Sequence, residues 1–327
     1  DTITINAVIS ACERRGKWTA ALALLNGMAD IDLEADAVTF NISINACGTN
    51  SGWTRALEVL NGMRGVTVRM DTFTHVAALS ACGKSAEWAR ACQLLRDIER
   101  YREELSTVSC NAAISACLRA GKWTNVLGLL GDMMSGRMRL DTVTLNAAIS
   151  ACESHGKWAE ALGLLSRFVR CRVEADTITF NAMISACGNG SEWTQALELL
   201  WGMECHQLEM DVVTCSSAIS ACEKYGEWAT ALEIMNAMVH DKVEMNTITY
   251  NALISACAKA GNWSKAIALL SCMYHAWVEI DAISYNSSIT ACEQHALWTM
   301  ALELLSLMNR KRVKSDTVTY SAAISVC

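Results

Sequence analysis

Several features that commonly reveal a function are missing from this 327-residue sequence. It has no proline, and its 16 cysteines include no pair spaced C-x-x-C, which excludes the usual structural zinc sites. No apolar run approaches the roughly 20 residues of a transmembrane helix. None of the six histidines is followed two residues later by glutamate, so the zinc deaminase signature is absent. No Ser-His-Asp set and no phosphate-binding loop is present, and we expect no enzyme, no metal site and no cofactor.

An excess of positive charge is also missing. Lysine and arginine number 27 against 34 acidic residues, for a net charge of −7. This balance argues against non-specific binding to polyanions. Any binding of a nucleic acid would therefore need basic residues at defined positions.

What the sequence does contain is a 35-residue repeat without insertions or deletions. The full copies are residues 1–35, 36–70, 71–105, 106–140, 141–175, 176–210, 211–245, 246–280 and 281–315, and a partial copy covers 316–327. A fixed period of this size indicates a solenoid, so we expect a single domain over 1–327. Asp1 is in register with the repeat and Cys327 falls within a copy, which predicts a fragment of a longer protein.

Each repeat is predicted to be a helical hairpin, with positions numbered from its first residue. Position 1 is usually Asp and position 4 is Thr or Ser, which are helix-starting residues. Apolar residues at positions 5, 8, 9 and 12 form one helical stripe, and those at 18, 21, 22, 25 and 28 form another. The pattern breaks near position 16, usually with Gly. Stacking of such hairpins would bury both stripes.

Two residue types recur at one position each. Cysteine occupies position 12 in all ten copies, and tryptophan opens the second helix at position 18 in all nine full copies. Without ligand-like spacing, the cysteines are interpreted as small buried residues of a chain in a reducing compartment. The tryptophans and the methionines at position 28 are interpreted as packing residues.

The first helix carries a second, polar stripe. Because successive helical residues turn by about 100°, positions 3, 10 and 14 align and position 6 lies beside them. Position 3 is always Ile, Val or Phe, position 6 is Asn in seven of nine copies, and position 10 is Ser, Thr or Asn. Asn is a poor residue for a helix interior, so its recurrence is not explained by helix propensity. The stripe can hold planar polar groups beside a row of anions.

At these residues a family resemblance becomes specific. The 35-residue period, the opening V-T-x-N, the A-C-x-x-x-G-K/E-W turn and the A-L-x-L-L-x-x-M second helix resemble pentatricopeptide repeat proteins of the pure 35-residue class. The resemblance covers the whole chain and implies an all-α, right-handed superhelical solenoid. The tetratricopeptide repeat has a period of 34 and another signature. The absence of proline and the Trp at position 18 depart from the usual plant form.

The resemblance implies sequence-specific binding of single-stranded RNA, one base per repeat. In the family, position 6 and position 1 of the next repeat select the base. The implied uracil-selecting pairs are Asn6/Asp36, Asn41/Asp71, Asn111/Asp141, Asn146/Asp176, Asn181/Asp211, Asn251/Asp281 and Asn286/Asp316. Ser216/Asn246 implies adenine, and Val76/Ser106 matches no common pairing. Parallel binding then gives the core 5′-UUNUUUAUU-3′, with cytosine as the expected misreading at Asn/Asp sites.

Two further sets of residues follow from the resemblance. The bases would be sandwiched by Ile3, Val38, Phe73, Val108, Val143, Ile178, Val213, Ile248, Ile283 and Val318. Phosphates would be faced by Arg14, Lys84, Arg119, Lys224 and Lys259. The implied role is in RNA processing, RNA stability or translation in a mitochondrion or chloroplast. The resemblance further implies a monomer that acts together with other RNA-processing proteins and does not associate with a membrane. The third repeat lacks the Asn and has a charged connector, which suggests a tolerated mismatch or a local bend over 95–106.

Two alternatives stay open from the sequence. A helical-repeat scaffold for protein–protein interaction would have a variable stripe without Asn/Asp pairs. The chain is alternatively the RNA-binding part of an RNA-processing enzyme whose catalytic domain lies outside it.

Overall fold

The computed structural model describes residues 1–31, 33–48, 52–66, 68–100, 105–136 and 138–326. Within these ranges the chain forms nineteen α-helices, a short 3₁₀ helix at Glu293–His295 and no β-strand. The expected all-α repeat fold is thereby confirmed. The charged connector residues 101–104 lie outside the described ranges, so the bend suggested for the third repeat stays a prediction.

Every full repeat contributes two helices in the expected order. The first helices are α1 (Thr2–Arg14), α3 (Ala37–Gly48), α5 (Thr72–Lys84), α7 (Thr107–Arg119), α9 (Thr142–Glu153), α11 (Thr177–Asn189), α13 (Val212–Tyr225), α15 (Thr247–Lys259) and α17 (Ala282–Ala291). The second helices are α2 (Trp18–Asp30), α4 (Trp53–Gly65), α6 (Trp88–Arg100), α8 (Trp123–Ser135), α10 (Trp158–Arg170), α12 (Trp193–Cys205), α14 (Trp228–His240), α16 (Trp263–His275) and α18 (Trp298–Arg310). The partial copy contributes α19 (Thr317–Val326).

The first helices begin where position 1 caps them. The Asp71 carboxylate accepts hydrogen bonds from the Thr74 backbone N–H and hydroxyl, both at 2.8 Å, and the Asp71 N–H donates back to that hydroxyl. The same reciprocal box occurs at Asp176 and Asp281. Such caps satisfy N–H groups that the helix leaves unpaired, which is why Asp and Thr recur three residues apart.

A left-handed residue at position 16 separates the two helices of a repeat. The backbone φ is positive at Gly16, Gly121, Gly156, Gly226 and Gly261, and also at the non-glycine residues Ala86, Ser191 and Ala296. The remaining position-16 residue, in the second repeat, lies outside the described ranges. Glycine adopts this conformation without strain, whereas an alanine there costs about 1–2 kcal/mol.

Replacing Ala86 or Ala296 by glycine is therefore expected to stabilise the chain. Relief of the left-handed strain outweighs the added freedom of the unfolded chain, so we expect a gain of about 0.5–1 kcal/mol in the free energy of unfolding. Urea unfolding followed by circular dichroism measures it. The matched control is Gly226→Ala, whose added Cβ would make only ordinary contacts and which should destabilise. A loss of stability in Ala86→Gly would contradict the role given to position 16.

The described contacts divide the chain into two compact units. The first comprises Asp1–Ala151 with Phe168–Val173, and the second comprises Cys152–Arg167 with Glu174–Cys327. In the first unit α1 packs on α3, α3 on α5 and α5 on α7; in the second α11 packs on α13, α13 on α15, α15 on α17 and α17 on α19. Each unit therefore stacks first helices of successive repeats. One continuous solenoid over all 327 residues stays a prediction.

The cores of both units use the expected positions. Position 28 is at most 2% exposed in every full copy, as Met in seven, as Ile98 and as Phe168. The position-12 thiols of Cys47, Cys82, Cys152, Cys187 and Cys257 are buried, and burial raises the pKa of each to about 11. These thiols stay protonated and packed at neutral pH.

Three details depart from the sequence interpretation. The position-18 tryptophans pack against the core as expected but are only half-buried, and Trp298 is 55% exposed. Val8, on the expected core stripe of the first copy, is exposed. His75 occupies position 5 of the expected apolar stripe and is nevertheless buried within α5.

Candidate nucleic-acid interface

A line of exposed apolar residues marks one face of the first helices in each unit. All ten position-3 side chains are between 54% and 79% exposed: Ile3, Val38, Phe73, Val108, Val143, Ile178, Val213, Ile248, Ile283 and Val318. Single exposed apolar residues are ordinary, but a repeated set at one position is a feature of interaction surfaces. Each residue of this line is the second residue of its helix, in the first turn.

Beside each line, the Asn at position 6 donates to the Asp that opens the next repeat. The distances from Nδ2 to the nearest carboxylate oxygen are 3.4 Å for Asn6/Asp36, 3.3 Å for Asn41/Asp71, 3.2 Å for Asn111/Asp141, 3.4 Å for Asn181/Asp211, 3.1 Å for Asn251/Asp281 and 3.3 Å for Asn286/Asp316. Six of the seven Asn/Asp pairs are thus brought together. Asn146 belongs to the first unit and Asp176 to the second, and that pair stays a prediction.

The carboxylate fixes which end of each amide faces it. An ionised carboxylate only accepts hydrogen bonds, so the amide must present its NH₂ group and turn its oxygen away. In three pairs a position-4 hydroxyl from the next repeat lies within hydrogen-bond distance of that oxygen, at 2.7 Å from Thr144 to Asn111 and at 2.6 Å from Ser284 to Asn251. The same two hydroxyls also reach the carboxylates of Asp141 and Asp281, at 2.6 Å and 2.9 Å, so their single hydrogen is shared between two acceptors. Thr214 makes the same contact with Asn181.

The other amide oxygens are different. The Oδ1 atoms of Asn6, Asn41 and Asn286 are buried and have no hydrogen-bond partner in the described structure. The hydroxyls of Thr39, Thr74 and Thr319 donate to the aspartates of their own repeats and do not reach these amide oxygens. The six described pairs therefore contain two classes of amide, one with a hydroxyl at its oxygen and one held only by its NH₂ group.

The seventh repeat is built differently around a cavity of about 350 Å³. The cavity is lined by residues of both the sixth and seventh repeats and by the start of the eighth, among them Val213, Ser216, Lys224 and Asn246. The Ser216 hydroxyl is 2.7 Å from that of Thr249, and the Asn246 side chain accepts from the Thr249 N–H at 2.9 Å. Positions 3, 6 and 14 thus line the same cavity as position 1 of the next repeat.

The basic residues at position 14 are exposed at the ends of the first helices. Arg14, Lys84 and Arg119 each lie in the last turn of their helix, where a cation is favourable toward the helix dipole. The Lys224 ammonium donates to the Gly188 carbonyl at 2.7 Å and to the Asn189 side chain at 3.2 Å. Lys259 lies 3.3 Å from the Glu223 carboxylate.

In the third repeat, position 6 of the predicted base-selecting pair is the apolar residue Val76. Val76 is half-buried, and Ser106 caps α7 by accepting from the Ser109 N–H at 3.1 Å. A valine offers no hydrogen bond to a base edge.

Over the described ranges, no group of three or more His, Cys, Asp or Glu side chains is arranged to hold a metal ion, and no helix is long and apolar enough to cross a membrane.

Comparison with protein families recognises the same repeats. The PPR repeat family matches residues 1–49, 210–259 and 245–294, the pentatricopeptide repeat domain matches 128–190, and the PPR repeat matches 108–138, 178–208 and 283–313. Together these matches cover well over half of the sequence. The chain belongs to the pentatricopeptide repeat family.

Solved pentatricopeptide repeat (PPR) structures share the fold. The crystal structure of the PPR protein PPR10 from maize is 22% identical, with a TM-score of 0.63 over 98% of this chain and 51% of PPR10. PPR10 in complex with an 18-nt psaJ RNA element is 24% identical, with a TM-score of 0.53 over 100% of this chain and 51% of that one. This PPR chain therefore spans about half the length of PPR10. No curated protein matches it.

Several carboxyls of the PPR pairs have a lowered pKa. Burial on its own raises the pKa of the Asp36 carboxyl, but hydrogen bonds from the Thr39 N–H and hydroxyl and from the Asn6 amide outweigh it, so the pKa lies below the ordinary 3.8. The same holds for Asp71, Asp141 and Asp211. Burial raises the pKa of each carboxyl, but hydrogen bonds from the Thr of its own repeat and from the Asn of the preceding repeat lower it by more. These four sites therefore keep acceptor oxygens at neutral pH.

Acid is expected to destabilise this PPR chain through these caps. A depressed pKa stabilises the fold above the unfolded value of 3.8, and that contribution is lost as the pH falls through the folded values. Urea midpoints measured from about pH 6 to about pH 3 should therefore fall. Asp211→Asn is the control, because asparagine caps equally well at Asn246 and does not titrate. An equal fall in wild type and in a chain with all four carboxyls replaced by amides would contradict this assignment.

The sequence did not reveal the contact between the position-4 hydroxyl and the amide of the preceding repeat. The Thr or Ser that always occupies position 4 predicts a helix start, and the caps account for that pattern. The second contact, with the amide of the preceding repeat, depends on how two repeats stack. No pattern within a single repeat encodes it.

Proposed function

We propose that this chain binds single-stranded RNA in a sequence-specific manner, one base per repeat, with the core 5′-UUNUUUAUU-3′. Membership of the PPR family and the likeness in fold to PPR10, whose structure includes a complex with an 18-nt RNA element, support the proposal. Single-stranded RNA is recognised by stacking its unpaired bases and by hydrogen bonds to their edges.

The observation that carries the proposal is the pairing of exposed apolar residues with prearranged amides and carboxylates. Position 3 offers a flat apolar contact on each first helix, and the Asn–Asp pair lies three residues further on. A peptide-binding scaffold gives no reason for six hydrogen-bonded Asn–Asp pairs. A base offers both the face and the polar edge that this surface requires.

The geometry of the pairs fits uracil. Once one amide hydrogen is directed to the carboxylate, the second hydrogen of Nδ2 can donate to a uracil carbonyl oxygen. A carboxylate has about four acceptor sites, so it can also accept from the uracil N3–H, directly or through water. Cytosine carries no hydrogen on N3 and cannot make that bond.

The two classes of amide imply two levels of discrimination. Asn111, Asn181 and Asn251 have a position-4 hydroxyl at the oxygen, so turning the amide over to suit cytosine would lose this shared contact as well as the bond to the carboxylate. Asn6, Asn41 and Asn286 lack that shared contact. We infer that repeats four, six and eight reject cytosine more strongly than repeats one, two and nine.

The charge distribution agrees with binding by specific contacts. The position-23 carboxylates Glu58, Glu198, Glu233 and Glu303 are exposed on the second helices, away from the position-3 line. The proposed role is occupancy of organellar transcripts in RNA processing, stability or translation, in a mitochondrion or chloroplast. Because few phosphates meet a cation, salt should weaken binding only modestly for an RNA-binding protein.

Fluorescence anisotropy of the chain with labelled UUAUUUAUU tests the proposal. The comparison oligomers carry G at the seventh base or are polyadenine. Tight binding to the first, weakened by the single G, supports both the code and its register, since only Ser216/Asn246 selects adenine. Equal binding to both U-rich oligomers supports RNA binding and contradicts the register. Absence of binding at low salt contradicts the function and favours a protein-binding scaffold.

A further inference from the structure

One cysteine breaks the repeat pattern at a buried junction. Position 22, on the core side of the second helix, is Leu or Ile in every full copy except the third, where it is Cys92. Cys117 is the position-12 cysteine of the fourth repeat. Their sulfur atoms lie 3.7 Å apart, where α6 packs against α7. Both residues belong to the first unit.

The two thiols differ in access to solvent. Cys117 is fully buried, whereas Cys92 is half-buried and lines an open cavity of about 690 Å³ with Arg96. The Arg96 side chain lies within hydrogen-bond distance of the Cys92 backbone carbonyl, at 3.3 Å. A small oxidant can therefore reach Cys92 from the cavity, whereas Cys117 is enclosed.

The electrostatics favour the same division of roles. The hydrogen bond from the Cys117 thiol, opposed by burial and aided by Arg96, lowers the pKa of Cys92 to about 7. The same hydrogen bond and burial raise the pKa of Cys117. Cys92 is then partly a thiolate at neutral pH, and the thiolate is the form that reacts with oxidants. In the part of the chain that the structure describes, no other position-12 thiol lies within hydrogen-bond distance of a second cysteine sulfur.

We propose that Cys92 and Cys117 form an intramolecular disulfide when the protein meets a peroxide. The Cys92 thiolate attacks one peroxide oxygen, the O–O bond breaks, and Cys92 becomes a sulfenic acid as the other oxygen leaves as water after taking a proton. The Cys117 sulfur then attacks the Cys92 sulfur, an S–S bond forms, and the sulfenic oxygen leaves as a second water with the Cys117 proton. Two thiols are oxidised by two electrons and one peroxide is reduced to two waters.

Formation of the disulfide requires only a small movement of the two sulfur atoms. A disulfide bond is about 2.05 Å long, so the sulfurs must approach each other by roughly 1.7 Å, from the observed 3.7 Å. Rotation of the two side chains can supply much of this. The bond would tie the second helix of the third repeat to the first helix of the fourth, across the junction where the base-selecting pair Val76/Ser106 is irregular.

The test uses the whole chain with the exposed Cys171 and Cys272 replaced by serine, which prevents links between molecules. After treatment with hydrogen peroxide and blocking of free thiols, mass spectrometry of the unreduced digest should show the Cys92–Cys117 peptide pair. Before oxidation, iodoacetamide should modify Cys92 more than about tenfold faster than Cys187, because a thiolate is required.

Cys92→Leu is the matched control, because it restores the residue of the other repeats and should fold. In this variant Cys117 should resist peroxide, and no linked peptide should form. The proposal is overturned if the linked peptide is absent from folded wild type, if Cys92 is oxidised beyond the sulfenic acid without linking, or if unfolded chains give the same pair in the same yield. None of these outcomes depends on RNA.

Discussion

Replacing Ser216 by Asn together with Asn246 by Asp is expected to change the preferred seventh base from adenine to uracil. The wild-type pair presents a hydroxyl that is already bonded to Thr249 and a neutral amide cap. The double variant installs the amide and carboxylate of the neighbouring repeats. A cavity of about 350 Å³ beside Ser216 gives the larger side chain room.

The expected effect is large because it reverses a preference. A good pair of hydrogen bonds to a base edge is worth about 1–3 kcal/mol of discrimination, so the ratio of affinities for the two oligomers should change by tenfold or more. Anisotropy with A or U at the seventh base measures this ratio. Asn246→Asp alone keeps the helix cap and is the control for a general change in charge. A double variant that still prefers adenine would contradict the assignment of this repeat.

Two isoleucines on α15 are expected to separate folding from binding. Ile254 is fully buried, whereas Ile248 is 66% exposed at position 3. Ile254→Ala should lower the free energy of unfolding by about 2–5 kcal/mol, because it leaves a cavity in the core. Ile248→Ala should leave stability within about 0.5 kcal/mol, as surface substitutions usually do.

For RNA affinity we expect the opposite order: among folded molecules, Ile248→Ala should bind RNA more weakly than Ile254→Ala. Ile248 is proposed to contact base faces, so Ile248→Ala should weaken binding by about 1 kcal/mol, the lower end of the range for stacking contacts. Urea unfolding and anisotropy on the same samples measure both effects. If Ile248→Ala binds RNA as wild type does, position 3 does not sandwich the bases. If it instead unfolds the chain, the exposed line is a structural feature.

Much of the fold was predictable because the repeat is exact in length. Thirty-five residues without insertion fix the helix order, and Asp, Thr and Trp mark where the helices begin. These are local signals, determined by capping and by the 3.6-residue period. Burial of position 28 was predictable for the same reason.

Contacts between repeats were less accessible from the sequence. The second bond of Thr144, the bonds of Lys224 to Gly188 and Asn189, and the approach of Cys92 to Cys117 all join residues 25 or more apart in the chain. Each depends on the distance and rotation between stacked hairpins. A pattern within one repeat contains no information about either quantity.

Selection from a random RNA pool would test RNA binding and the base preference of every repeat in one experiment. The chain is incubated with single-stranded RNA of random sequence, and the bound molecules are sequenced after several rounds. We expect enrichment of UUNUUUAUU in the 5′ to 3′ direction, with no preference at the third base and the least cytosine at the fourth, sixth and eighth bases. Enrichment of an unrelated sequence, or no enrichment at all, would contradict this expectation.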